Sequence, residues 1–95
     1  MIERHLTFLV HSGETAEFER FFAAAYRPRM AEAPGYIGVE LLRELESPTR
    51  YQMVFRWETG DGATAWRTSQ EHQALQPALN ALHDGMDIVA YDVVA

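Results

Sequence analysis

In the first ten residues Ile2, Leu6, Phe8 and Val10 fall on one face at a period of two. That period predicts a strand over residues 2–10 with one apolar face. "HSGE" makes the turn that follows. From about Glu14 the spacing widens to three and four, and Phe18, Phe21, Phe22 and Ala25 form a helical stripe. Pro28 has no N–H to donate, so a break or kink is predicted near Arg27, then a short turn to Ala33. "APG" punctuates the chain again. A second strand is predicted over 36–44, a hairpin loop at "LESPT", and a third strand over 51–57. Tyr51, Met53, Phe55 and Trp57 share one face of that third strand. A short helix follows over about 61–67. Thr68 can cap the next helix, with Glu71 completing a capping box, and Ser69 is an equally good cap. Leu75, Leu79 and Leu82 give that helix its stripe, which Pro77 is placed to split. His83 suits the helix dipole and Gly85 a C-terminal cap. A last strand is predicted over 88–94.

The order is βαββαβ: an α+β, ferredoxin-like arrangement with an antiparallel sheet, in a single domain over residues 1–95. The strands do not alternate cleanly. The second places Ile37, Val39 and Leu41 on one face and Tyr36 and Leu42 on the other, and the fourth reads "IVAY". Helices cover only one face of such a sheet, so the other would be a large apolar patch. A second copy packed sheet to sheet covers it, and a homodimer is expected. A domain this short buries only about 60–65% of its unfolded surface, so partner burial also adds stability.

Charge narrows the partners. Fourteen acidic residues against eight arginines, with no lysine, leave a net charge of −6. The arginines are scattered, so neither nucleic acid nor an anionic membrane is an expected partner. There is no cysteine, which excludes disulfides and thiol chemistry. "MIERHLTFLV" lacks the pattern of a signal peptide, and no run of about 18 apolar residues occurs, so the expected compartment is the cytoplasm. No phosphate loop, dinucleotide fingerprint, nucleophile elbow or metal-ligand spacing is present, and no metal or cofactor is expected.

Candidate chemistry concentrates in "WETGDGATAWRTSQEHQALQPAL", which holds both tryptophans. Trp66 either packs a core or walls a pocket with its indole N–H. His72 lies three residues before Leu75 and seven before Leu79, on the buried stripe. It is either a satisfied core histidine or one that faces a ligand.

Several segments together resemble the antibiotic biosynthesis monooxygenase family of dimeric α+β barrels: "EFERFF", "PGYIGVELLRE", "VFRWET", "AWRTSQEHQAL" and "IVAYDVV". Their order and spacing carry the resemblance over nearly the whole chain. It implies a homodimer with one pocket per subunit, between sheet and helices. Characterised members oxidise anthrone-type polyketides to quinones with O2 and no cofactor, a sister group degrades haem, and others have no established substrate. The resemblance places Trp66 in the pocket and His72 where anthrone-oxidising relatives carry a tyrosine. There a histidine would hydrogen-bond a phenol or take its proton, with an ordinary pKa of about 6.5. Those relatives carry an asparagine where this chain has Gly62 and an arginine near the last strand, where "HDGMDIVAY" has none. At the positions of the haem-degrading group's asparagine and ligand histidine stand Leu6 and Gln76. The expectation is a cofactor-independent monooxygenase acting on a small phenolic aromatic. Trp66 and His72 would be catalytic, and Leu6, Phe18, Phe22 and Leu75 would bind substrate. A ligand-binding or accessory protein of the same fold is the alternative, and a haem-binding member the third reading.

Overall fold

The computed structural model describes residues 1–95. Its elements are β1 (Ile2–Val10), α1 (Thr15–Phe21), a π-helical turn (Phe22–Tyr26), α2 (Arg27–Met30), β2 (Tyr36–Arg43), β3 (Arg50–Trp57), α3 (Gly60–Thr68), α4 (Gln70–Asn80) and β4 (His83–Asp92). The sheet is antiparallel in the order β2-β3-β1-β4, the ferredoxin-like topology that the sequence predicts. The helices lie on one face. Leu6, Phe8 and Val10 from β1 and Tyr51, Met53, Phe55 and Trp57 from β3 are all buried beneath them. No helix is long and apolar enough to cross a membrane.

Of the break or kink predicted near Arg27, no break occurs; the helix is instead irregular there. The chain stays helical from Thr15 to Met30 and accommodates Pro28 by widening the turn just before it, where the Arg27 N–H donates to the Phe22 carbonyl. A proline ring collides with the carbonyl four residues back, and a wider turn relieves the collision. This turn also changes the buried stripe. Phe18, Phe22, Tyr26 and Met30 are buried, each four residues after the last. In a regular α-helix residues four apart drift by about 40° per step, so a stripe of that spacing soon leaves the core. The π turn restores it and turns Tyr26 inward, where a uniform helical period had favoured Ala25.

Two strands depart from even pairing. In β2 an extra residue falls between Tyr36, opposite Trp57, and Gly38, opposite Arg56. Tyr36 thereby joins Val39 and Leu41 on the helix side, and Ile37 is left exposed, the reverse of the predicted assignment. In β4, Met86 pairs with Phe8 but His83 pairs with Val10, so three steps in β4 oppose two in β1. Gly85 lies in this bulge at φ +112°, a conformation that side chains strain to adopt. It is therefore a strand residue rather than a helix cap, and β4 begins five residues before the predicted start. His83 sits in the strand, edge-on to Phe8 with ring centroids 4.9 Å apart. α4 runs unbroken through Pro77 because the carbonyl left without a donor, that of Gln73, is on the exposed side.

Replacing Gly85 by alanine should destabilise the fold by more than about 1 kcal/mol, because the backbone there has positive φ. Gly38→Ala, at a site with open space and ordinary φ, should change little. Thermal melting of both variants checks this: each kcal/mol corresponds to roughly 4–8 °C in a domain of this size. Equal melting points would show that the bulge does not need a glycine.

Candidate active site

α3 and α4 meet at Ser69, which belongs to neither helix, and its extended backbone (ψ 156°) turns the chain. One hydroxyl serves both sides of the corner: Ser69 Oγ donates to the Trp66 carbonyl (2.7 Å) and accepts from the His72 N–H (3.1 Å). Thr68, the other predicted cap, instead donates back to the Thr64 carbonyl (3.0 Å) within its own helix. Ser69 thus ties the backbones of the two candidate residues together.

The corner brings their side chains together as well. The rings of Trp66 and His72 meet edge to face at 5.3 Å, and both line a cavity of about 270 Å³ between the sheet and the helices. Tyr26 completes the cluster, 5.9 Å from Trp66 and 6.1 Å from His72. Leu6, Phe8, Phe55, Leu79, Met86 and Ile88 supply apolar wall. Of the residues expected to bind substrate, Leu6 lines this cavity, whereas Phe18, Phe22 and Leu75 do not. Phe18 is buried between Phe8 (5.4 Å) and Tyr51 (5.1 Å). Phe22 faces a separate groove beside Leu41 and Tyr51, and Leu75 packs half-buried against the core. The π turn gives their place to Tyr26, which the stripe read from sequence passed over.

The polar atoms of the cluster are incompletely satisfied. Trp66 Nε1 and His72 Nδ1 are buried without hydrogen-bond partners. Such a group costs about 1–3 kcal/mol when nothing pairs with it. The Gln76 amide nitrogen lies 2.9 Å from His72 Nε2 and donates to it, which puts the ring proton on Nδ1. Turning the amide over exchanges the roles: Nε2–H then donates to the amide oxygen and Nδ1 becomes a bare acceptor. Burial is the main cause that holds the His72 pKa below its ordinary value; the Arg67 charge acts the same way and the Arg67 backbone opposes it. The ring is therefore neutral at pH 7. Burial pushes the Tyr26 phenol up to about 12, opposed in part by the nearby Trp66 indole, which is close without completing a hydrogen bond.

A larger cavity, about 460 Å³, lies on the other side of Trp66. Glu32, Asp61 and Glu71 line it against the single cation of Arg29, a poor environment for an electron-rich anion. Gly62 belongs to this second cavity. A Cβ there would sit 3.2 Å from the Pro34 carbonyl, a tight contact that a larger residue could make only with a small shift of the 33–35 turn. No group of three histidine, aspartate or glutamate side chains is placed to hold a metal.

Comparison with known proteins bears on the same region. The family model described as antibiotic biosynthesis monooxygenase matches residues 1–78. A 42.8 kDa protein of the whiE locus in Streptomyces coelicolor is 32% identical over 79% of this chain, which spans 19% of that protein's length. The mycobilin-producing haem oxygenase of Mycobacterium tuberculosis is 30% identical, over 90% of this chain and 81% of its own. The crystal structure of SnoaB, a cofactor-independent oxygenase from Streptomyces nogalater, superposes with a TM-score of 0.88 at 26% identity, covering 99% of this chain and 93% of the other.

Because the folded state depresses the His72 pKa, the unfolded chain takes up that proton first as pH falls. Stability is therefore full above the ordinary histidine pKa of about 6.5 and declines as pH drops from there toward the lower folded value. Urea unfolding at pH 7.5 and pH 5.5 should show that decline in the parent and a smaller one in His72→Gln. Identical declines would mean that His72 is not buried as described. Ser69→Ala should cost about 1 kcal/mol, as expected for loss of a helix N-cap, and should alter the tryptophan fluorescence as the corner loosens.

Proposed function

The chain belongs to the antibiotic biosynthesis monooxygenase family, and on that premise we propose that it oxidises a small phenolic aromatic with O2 and without metal, flavin or haem. The observation that carries this reading is the pair of unsatisfied ring nitrogens, on Trp66 and a neutral His72, in the wall of an aromatic cavity. The likeness to SnoaB supports it.

The roles follow from the chemistry of the groups. An anthrone-like substrate loses one proton of its ring methylene to His72 Nδ1 while Gln76 turns to accept from Nε2–H. Trp66 Nε1–H donates to the substrate oxygen on which negative charge develops. The electron-rich anion passes one electron to O2, and the resulting radical and superoxide combine into a peroxide anion. That anion recovers the proton from His72, and loss of water leaves the ketone. In balance, the methylene and one O2 become a carbonyl and one water. The protein contributes positioning, exclusion of water and a base, the last worth about 10²–10⁴-fold. A cavity of about 270 Å³ falls just below the range of ligand pockets, roughly 300 to 1,000 Å³, and so favours a small ligand of a few fused rings.

The likeness to a haem oxygenase raises haem as a second ligand, but the residues do not fit it. Leu6 and Gln76 both wall the cavity, and neither supplies an axial imidazole. The imidazole present, His72, has its Nε2 engaged by Gln76.

We also infer a homodimer packed sheet to sheet. On the face without helices, Leu9, Leu42, Val89 and Tyr91 are each 46–49% exposed. The middle of that face is polar: Glu3 binds both His5 (2.6 Å) and Arg56, and these partners hold its carboxyl below the usual range, His5 most strongly. The interface would therefore join an apolar rim to a paired-charge centre.

Incubation with anthrone should consume one O2 per anthraquinone formed, with no added metal or flavin. His72→Phe should lower the rate by about 10²-fold or more, as for loss of a general base, while keeping the fold. Turnover indistinguishable from the uncatalysed rate would leave the ligand-binding reading in its place. Haem titration should give no sharp Soret shift; a one-to-one shift would replace the oxygenase reading with a haem-binding one. Light scattering at micromolar concentration should give twice the chain mass of 10.8 kDa, and a monomer there would end the dimer inference.

A further inference from the structure

The Trp66–His72 cavity has two charged residues among its walls, and both are arginines: Arg4 and Arg67. Arg4 projects from the helix-covered face of β1, half-buried, with Phe55 and Ala90 as its cross-strand neighbours. Arg67 follows Trp66 in the last turn of α3. Arginines 20, 43, 50 and 56 are paired with glutamates; Arg4, Arg27, Arg29 and Arg67 have neither a salt bridge nor a side-chain hydrogen bond, and of these four Arg4 and Arg67 share one cavity. In a chain with six more acids than bases, two unpaired guanidiniums at one cavity are unexpected. The C-terminal dipole of α3 accounts for a cation at position 67. Nothing comparable accounts for Arg4, which lies among apolar neighbours. Burial and the nearby Arg67 charge both disfavour its protonated form, and no carboxylate compensates. Arg67 is exposed to solvent, but a half-buried cation without a partner is costly, so Arg4 lacks a counter-charge.

We propose that Arg4 and Arg67 form an anion subsite of this cavity, which selects aromatic carboxylates over neutral aromatics of the same size. Guanidinium presents its donors in a planar fork that matches a carboxylate, and it stays charged at every physiological pH. The ring system of the ligand would lie against Trp66, Tyr26 and Leu6. Its carboxylate would lie between the two guanidiniums, away from the carbon that is oxidised. The proposal rests on reading this cavity as the substrate site, but it concerns binding, so its test does not depend on turnover.

The test compares 2-naphthoate with 2-naphthamide, which share shape and differ in charge, by calorimetry on the full chain. The acid should bind about tenfold or more tightly than the amide, as expected for a charge-assisted pair, and only its affinity should fall with added salt. Arg4→Gln and Arg67→Gln should each reduce that preference, while Arg4→Lys should retain part of it. Salt dependence in the parent protein gives the answer even if a variant fails to fold. Equal affinity for acid and amide, or no detectable binding of naphthoate, would overturn the proposal; a carboxylate of a second copy already seated on the pair would give that result. Binding of naphthoate with the predicted preference, but no oxidation of anthrone, would uphold the subsite and remove the oxygenase reading.

Discussion

The geometry of the candidate site depends on a single hydroxyl. Ser69 closes α3 by donating to the Trp66 carbonyl and opens α4 by accepting from the His72 N–H. A serine hydroxyl has one donor and two acceptor lone pairs, so it can do both at once. Two short helices that would fray separately are thereby joined at a fixed angle. Their apolar stripes then cover the same sheet face, and the rings at positions 66 and 72 come within 5.3 Å. Without that corner, α4 would have no fixed direction from α3, and the cavity between them would have no defined wall.

Within the cavity the physical balance is uneven. Most of the wall is apolar or aromatic, and the core residues around it are all hydrophobic. Against that background stand an indole N–H and one imidazole nitrogen that are buried without partners, and two guanidiniums that have no carboxylate. Buried polar atoms are rarely left unpaired in folded proteins, and leaving them so lowers stability. The same groups favour a ligand that carries an oxygen near the rings and a negative charge near the arginines. The second, larger cavity differs mainly in sign: its carboxylates repel the same anion. Charge therefore distinguishes the two cavities where volume alone would favour the other one.

The first helix shows how a local backbone defect shapes the site. Pro28 forces a wide turn, the wide turn keeps a four-residue stripe in the core, and that stripe delivers Tyr26 to the cluster of Trp66 and His72. The proline lies outside the cavity, yet it decides which aromatic ring enters it.

The sequence by itself determined the element order, the apolar faces of β1 and β3 and the concentration of candidate chemistry at Trp66 and His72. Each follows from near-neighbour periodicity, and strands and short helices obey such periods closely. The family was legible for the same reason, since its segments keep their order and spacing. Tertiary structure decided the rest. Whether Pro28 breaks a helix or widens it depends on the core beneath, so Tyr26 was hidden and Phe18 and Phe22 were placed in a pocket that they do not line. The bulges at Ile37 and Gly85 exist only relative to a partner strand, which no single segment can announce. Arg4 gave no signal either. A lone arginine in a strand looks like a surface charge until the fold shows which strands flank it, that its neighbours are apolar, and that Arg67, 63 residues later in the chain, approaches from a helix above. Charge complementarity is a property of residues far apart in sequence and close in space, and only the folded chain brings them together.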